Sequence, residues 1–125
     1  MYETFRDVVL AVREKYEHAE RLSRPEGQSG CYYSHTYNGL GCAIGCLFPP
    51  EIAATFDVED THLGIGLISQ GVNELTERDE YDEVLGHLSL DDLRELQWAH
   101  DKADSVTQFR AALDRWLSDG VWVYA

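Results

Sequence analysis

The sequence predicts a mainly helical α+β protein, in which four to six helices pack around a small two- or three-stranded antiparallel β element. Three observations support this fold class. Apolar residues recur at helical spacing near both ends of the chain, serines stand at N-cap positions before two later segments, and a tyrosine-rich run ends in an Asn-Gly pair. A length of 125 residues is typical of one domain with one core. We therefore expect residues 1–125 to form a single domain.

The first predicted helix covers residues 2–23. Phe5, Val8, Val12 and Tyr16 follow the helical spacing and give this segment one apolar face. Because a residue that precedes proline is disfavoured in the α conformation, the helix is expected to end before Pro25.

Two further helices are predicted after serines that are good N-caps. Ser89 precedes the predicted helix 90–103, and Ser105 precedes the predicted helix 106–118. Gly120 then stands where a C′ glycine is expected. Shorter helical segments are predicted at 42–48, 51–56 and 67–75.

The β element is predicted between residues 31 and 42. The run 31–37 is rich in tyrosine, which favours strands. Asn38-Gly39 tolerates positive φ and matches a two-residue hairpin turn, so residues 40–42 are expected to form the return strand. The apolar segment 121–124 is expected to pack on the body, to add to the hairpin or to form an interface.

The charge of the chain excludes several classes of partner. The sequence has 23 Asp and Glu against 10 Lys and Arg, a formal net charge of −13, and nearly all of the excess lies in residues 51–104. So acidic a protein is repelled by nucleic-acid backbones and by anionic membranes. No apolar run approaches the ~18 residues that a membrane span requires, and the N-terminus has no signal-peptide pattern. We expect a cytoplasmic protein that binds no nucleic acid directly.

The densest acidic stretch is the candidate binding surface. Charge runs are most often solvated helical faces that maintain solubility. The functional alternative is a negative surface that binds a basic partner and takes the place of nucleic-acid phosphates. The candidate partner-binding residues are Glu74, Glu77, Asp79, Glu80, Asp82, Glu83, Asp91 and Asp92.

A cluster of cysteine and histidine raises the question of zinc. Cys31, His35, Cys42 and Cys46 together offer three sulfurs and one imidazole, a donor set that zinc accepts. The tight C-x2-C knuckle of structural zinc sites is absent, and Cys42 and Cys46 have small apolar neighbours. We therefore expect buried structural cysteines and no metal ion.

His100 is the candidate catalytic residue. Its spacing places it on the apolar stripe with Leu93 and Leu96, whereas Asp101 is expected at the side of the helix. One interpretation is a general base that acts with a cysteine. The other, which we favour, is a core histidine that bonds to the hairpin backbone or to a tyrosine hydroxyl. The glycines form no G-x-G-x-x-G or P-loop motif, so no cofactor is expected.

Two segments carry a resemblance to known proteins. Gly41–Glu51 reads GCAIGCLFPPE and Leu96–Asp101 reads LQWAHD. Together they resemble a group of small, mostly uncharacterised proteins of bacteriophages and prophages, in which the first segment reads C-A-[IV]-G-[CA]-L-[IF]-P-x-E and the second reads L-Q-x-x-H-D. The resemblance implies a phage setting, where small acidic proteins often inhibit host defence systems, including CRISPR and restriction systems.

The sequence thus predicts a non-enzymatic inhibitor of the anti-CRISPR or anti-restriction type. It would bind a basic host protein, such as a nucleic-acid-binding effector or nuclease, through an acidic surface that mimics DNA. The alternative is a small enzyme or a nucleotide-like ligand-binding protein that uses a pocket near His35, Cys42 and His100. The sequence leaves the oligomeric state open, a homodimer included.

Overall fold

The computed structural model describes residues 2–24, 31–59, 75 and 78–122. Within these ranges the chain is helical. A short 3-10 turn lies at Gly45–Leu47. The five α-helices are α1 (Phe5–Lys15), α2 (Pro50–Glu59), α3 (Asp79–Leu85), α4 (Leu90–Lys102) and α5 (Val106–Asp119).

The predicted β element is wrong. No strand occurs in the ranges that the structure describes, and the run 31–37 forms bends and turns. Its backbone N–H groups have partners that no hairpin would provide. The N–H of Tyr32 donates to the carbonyl of Ser23 at 3.0 Å, and those of Tyr33 and Ser34 donate to the carboxylate of Asp57 at 2.7 and 3.2 Å. Because these donors are already bonded, a strand ladder is not needed to satisfy the buried segment.

Asn38 fixes the chain reversal that the sequence assigned to a hairpin. Its side-chain oxygen accepts from the N–H groups of Leu40 and Gly41 at 3.0 and 2.8 Å, which makes an Asx turn. Its amide nitrogen donates to the hydroxyl of Tyr16 and to the carbonyl of Arg21, both at 3.1 Å. The turn is therefore tied to the chain that follows α1 and has no partner strand.

The first helix is shorter than predicted. α1 starts at a capping box in which Thr4 and Asp7 bond to each other's backbone N–H, and it ends at Lys15, well before residue 23. Beyond this point the carbonyls of Tyr16 and Ala19 accept from the guanidinium of Arg110 at 3.0 and 2.9 Å. This contact from α5 satisfies carbonyls that a continuing helix would have used.

α4 and α5 begin at the predicted caps. The hydroxyls of Ser89 and Ser105 accept from the N–H groups of Asp92 and Gln108. Gly120 follows α5 with a φ of 73°, as expected for a C′ glycine. α3 was not among the predicted elements. The predicted helix 67–75, apart from the buried Leu75, and the end of the apolar tail, 123–125, lie outside the described residues, and no strand forms at 121–122.

The core forms where α1, α4 and α5 pack on one another. The rings of Tyr16, His100 and Phe109, one from each helix or its end, meet edge to face, with centroids 5.0 to 6.2 Å apart. Phe5 and Trp116 join α1 to α5 in the same geometry at 5.0 Å. These contacts bury three helix faces, which is the main stabilising contribution expected in a helical domain of this size.

The 3-10 turn packs on α1, and α2 packs on the 3-10 turn. Phe56 of α2 packs on Phe48 and Tyr33, with ring centroids 4.8 and 6.0 Å away. Gly45 allows the turn to lie directly against segment 31–34, because a Cβ at this position would approach the carbonyl oxygen of Tyr33 closer than 3.0 Å. Among the described helices, none has the length and apolar character needed to cross a membrane.

The Gly45→Ala variant tests this close contact. We expect it to lower the free energy of unfolding by more than about 2 kcal/mol, because its methyl group overlaps backbone that cannot move aside as a side chain can. Gly39→Ala is the matched control. Gly39 has a φ of 80° but open space around its missing Cβ, so only the backbone cost of about 1 kcal/mol is expected. Urea unfolding measures both variants, and an equal loss would contradict the contact.

Candidate functional site

Part of the predicted acidic surface lies on α3. Asp79, Asp82 and Glu83 are exposed. Because residues three and four apart share a helix face, these three carboxylates lie on one side of α3. The buried residues Tyr81 and Leu85 occupy the opposite side. This spacing gives α3 one face that contacts the core and one continuous acidic face.

The other predicted acidic residues have different surroundings. Glu80 is partly buried and pairs with Arg78 at 3.0 Å. Asp91 is exposed and Asp92 half-buried in the first turn of α4, where negative charge also favours the helix dipole. The two remaining predicted residues lie outside the described part of the chain: Glu74 and Glu77.

Most of the arginines are bound elsewhere within the protein. Arg24 donates to the carbonyls of Asp101 and Ala103, both at 3.1 Å, and Arg6 donates to that of Leu117 at 3.0 Å. Arg110 holds two carbonyls at the end of α1. Between residues 78 and 95, the described residues form one ion pair with each other, between Arg78 and Glu80. The exposed carboxylates of α3 are therefore not neutralised by ion pairs within the described chain.

A buried polar network joins α4 to two irregular segments. The side-chain oxygen of Gln97 accepts from the N–H of Ile44 at 3.0 Å, and its nitrogen donates to Asp101 Oδ1 at 2.9 Å. His100 Nδ1 lies 3.2 Å from the same carboxylate oxygen, and His100 Nε2 accepts from the N–H of Ser23 at 3.2 Å. The three side chains on α4 are buried. They provide hydrogen-bond partners for one another and for a backbone N–H in each of the two segments.

The neighbours of His100 determine its tautomer. The N–H of Ser23 can only donate, so Nε2 presents a lone pair and Nδ1 carries the proton, which it donates to Asp101. Both ring nitrogens are in use, and neither can take a proton from a cysteine thiol. His100 is thus buried, as expected, but its partner is the backbone of Ser23 and not a hairpin or a tyrosine hydroxyl. The geometry provides no general base here.

The same network weighs against a metal ion. Donor atoms of Cys31, His100 and Asp101 lie within 4.8 Å of one another and are buried. This group shares only Cys31 with the cluster that the sequence suggested. A zinc ion on Nδ1 would move the ring proton to Nε2, and two donors would then face each other at the contact with Ser23. The hydrogen bonds favour a neutral histidine without a metal.

The other predicted pocket residues are also engaged. Cys42 Sγ accepts from the N–H of Gly45 at 3.3 Å, and His35 Nε2 donates to the carbonyl of the same glycine at 2.9 Å. Cys46 Sγ donates to a backbone carbonyl at 3.2 Å. The predicted ligand pocket near His35, Cys42 and His100 therefore has its polar groups committed to internal hydrogen bonds.

Burial makes the cysteines poor nucleophiles. It raises the pKa of the Cys31 thiol to about 11, with the negative charge of Asp101 adding to the effect and Arg24 opposing it. Burial likewise raises the pKa of Cys46 to about 12 and that of Cys42 well above its usual range. Because the thiolate is the reactive form, these thiols are unreactive at neutral pH while the protein is folded.

The sequence reasoning missed several residues that organise this region. Asp101 was expected at the side of its helix, yet it is only 6% exposed. Gln97, in contrast, falls near the apolar stripe by its spacing, which indicates burial, and it is buried. Asn38 before a glycine is compatible with an Asx turn as well as with a hairpin turn, and the local sequence does not distinguish the two. Nothing in the local sequence marked Asp57 or Ser23 as partners of distant backbone.

Comparison with protein-family models, with curated proteins and with solved structures gives no match for this chain.

We expect His100→Ala to lower the free energy of unfolding by about 3 kcal/mol or more, since it leaves the Ser23 N–H unbonded and opens a cavity in the core. The measurement is urea unfolding followed by circular dichroism. The exposed His18 provides the control, because His18→Ala should change stability by less than about 0.5 kcal/mol. Equal stability of the two variants would contradict a structural role for His100.

Alkaline pH should destabilise the protein. The folded-state pKa values of Cys31 and Cys46 are raised from 9.0 to about 11 and about 12, so the unfolded chain loses these protons first. Their contribution to stability is complete below pH 9 and is lost as pH rises through the folded-state values. The decline is roughly 1 kcal/mol per pH unit for each thiol. We measure the free energy of unfolding against pH for the unmodified protein and for Cys46→Ala, and we expect a shallower decline above pH 9 in the variant. Identical declines in the two proteins would contradict the contribution assigned to Cys46.

Proposed function

We propose that this protein is a non-enzymatic inhibitor of a host nucleic-acid-dependent defence protein, of the anti-CRISPR or anti-restriction type. In this proposal it acts in the host cytoplasm. Its binding surface is the acidic surface, which comprises the exposed face of α3 and the first turn of α4. The target is a basic protein with a groove that normally holds nucleic acid.

The observation that carries the proposal is the exposed acidic face of α3. Asp79, Asp82 and Glu83 are directed away from the core, and the described residues supply them with no ion pair. Like charges at this spacing disfavour an isolated helix by a few tenths of a kcal/mol for each pair. A basic partner would relieve that repulsion, while the helix dipole keeps the carboxylates in the first turn of α3 compatible with the helix.

Carboxylates suit this role because arginine recognises them as it recognises phosphate. The guanidinium group forms two parallel hydrogen bonds to either anion. A concentrated negative field also accelerates association with a basic groove, and this acceleration falls steeply with ionic strength. Binding should therefore be strong at low salt and weaken as the salt concentration rises. At physiological ionic strength, exposed charges are screened beyond a distance of about 8–10 Å.

The state of the candidate catalytic groups among the described residues favours binding over catalysis. The described cysteines are buried thiols, and both nitrogens of His100 are hydrogen-bonded. The phage setting itself comes only from the resemblance of Gly41–Glu51 and Leu96–Asp101 to phage and prophage proteins. The network explains why these segments pair, because Gln97 of the second bonds to the backbone of Ile44 in the first.

The first experiment is a tagged pull-down from a nuclease-treated bacterial lysate, eluted in rising salt and analysed by mass spectrometry. The recovered protein is then purified and titrated with this protein in the presence and absence of duplex DNA. The proposal requires that the recovered partner is a basic nucleic-acid-binding protein and that duplex DNA competes with this protein for binding to it. A partner that binds DNA and this protein simultaneously would rule out mimicry.

Charge reversal separates the acidic surface from net charge. We expect the triple variant Asp79→Lys, Glu83→Lys and Asp91→Lys to weaken binding to that partner by at least about tenfold, because each reversal replaces attraction by repulsion. The control reverses three exposed carboxylates elsewhere: Glu3→Lys, Glu14→Lys and Asp104→Lys. Both triple variants have the same net charge, and calorimetry of both gives the affinity. Equal weakening would show that total charge decides binding and not this surface.

The melting temperature of each variant is measured in parallel. Reversal in the first turn of a helix costs about 0.3–1 kcal/mol, which leaves the fold intact. A loss of binding accompanied by unfolding would not support the acidic surface. In that case the neutral variants Asp79→Asn and Glu83→Gln are used, and they must still weaken binding.

A further inference from the structure

A cavity of about 470 Å³ lies between the chain that follows α1 and the turn at residues 38–40. It is separate from the acidic surface and from the pocket that the sequence suggested. The side chains that line it include Lys15, His18, Glu20, Arg21, Asn38 and Leu40.

Both walls of the cavity are held in place before any ligand binds. On one side, Arg110 fixes the backbone through the carbonyls of Tyr16 and Ala19. On the other side, Asn38 closes its own turn and donates to the carbonyl of Arg21, which ties the two walls together at 3.1 Å. A preformed cavity loses little conformational freedom on binding, and this favours recognition of small ligands.

The charge of the lining is opposite to that of the molecule. Lys15, His18 and Arg21 offer cationic or cationisable groups, against the single carboxylate of Glu20 among the lining residues. Within the described residues Lys15 forms no ion pair, and Arg21 uses one nitrogen to bond the carbonyl of Arg24 at 2.8 Å. In a chain of net charge −13, most arginines are engaged with backbone or carboxylates. The Lys15 ammonium and the remaining nitrogens of Arg21 are therefore available to a ligand at this cavity.

The cationic side chains favour an anionic ligand, and the size of the cavity and its apolar lining indicate that this ligand also has an organic part. The volume is within the range of about 300–1,000 Å³ that small organic ligands occupy, which is more than a bare oxyanion fills. Ala19 and Leu40 supply apolar surface, and Gly39 leaves open space where a side chain would stand.

We propose that this cavity binds a small organic phosphate of about mononucleotide size. Lys15 and Arg21 contact the phosphate group, and the apolar surface of Ala19 and Leu40 contacts the organic part. The site is independent of the inhibitor function proposed above, since its lining shares no residue with the acidic surface and offers cationic side chains.

The test uses adenosine monophosphate as the probe. It is titrated into the ¹⁵N-labelled full chain at physiological salt, and amide chemical shifts are followed by NMR. We expect saturable shifts confined to residues 15–21 and 38–41. Inorganic phosphate should shift the same amides with weaker affinity, and adenosine should not.

Variants assign the contacts. Lys15→Ala with Arg21→Ala should weaken the apparent affinity at least about tenfold, because charge-assisted hydrogen bonds are lost. Lys102→Ala with Arg115→Ala removes two exposed cations outside the cavity and should leave the affinity unchanged. If the first double variant loses its fold, Lys15→Glu replaces it and must still weaken binding. Three results would each overturn the proposal: no saturable shift, equal shifts with adenosine, or unchanged affinity in the cavity variants.

Discussion

The fold depends on the hydrogen bonds that α4 makes through Gln97, His100 and Asp101. Each of these side chains is buried, and a buried polar group without a partner costs more than a hydrogen bond contributes. The network meets this requirement by bonding to backbone that has no regular structure of its own: the N–H of Ile44 on one side and that of Ser23 on the other. One helix thereby fixes the two irregular parts of the chain around it. Because these groups are hydrogen-bonded to one another, the network acts as a unit. The loss of one member leaves the others without a hydrogen-bond partner.

This arrangement separates the structural residues from those available for binding. The motifs that drew attention in the sequence, around Gly41–Glu51 and Leu96–Asp101, meet in the core through the bond between Gln97 and Ile44. Arg24 and Arg110 donate to backbone carbonyls and stabilise irregular chain where helices end. The exposed features include the acidic face of α3 and a small cationic cavity that shares no residue with it. Two surfaces of opposite charge fit two different kinds of ligand, a basic protein and an organic phosphate.

Local pattern and tertiary contacts gave different answers in segment 31–42. Tyrosine content and the Asn38-Gly39 pair favour a hairpin when only neighbouring residues are considered. In the fold, the carboxylate of Asp57 and the carbonyl of Ser23 bond to the N–H groups that a partner strand would take. The Asn38 side chain then caps the turn itself. Helix α1 ends early for a related reason, since Arg110 from α5 binds the carbonyls that would continue it.

The sequence by itself determined the elements whose signals are local. The starts of α4 and α5 at Ser89 and Ser105 follow from capping, and the end of α5 follows from Gly120, because each depends on bonds within a few residues. The burial of His100 and the acidity of the middle segment could also be read from spacing and composition. Only the tertiary structure decided the tautomer of His100, the absence of strands from the described residues and the position of the cationic cavity. Each of these depends on groups far apart in the chain, and spacing along the sequence carries no information about which distant donor will meet which acceptor.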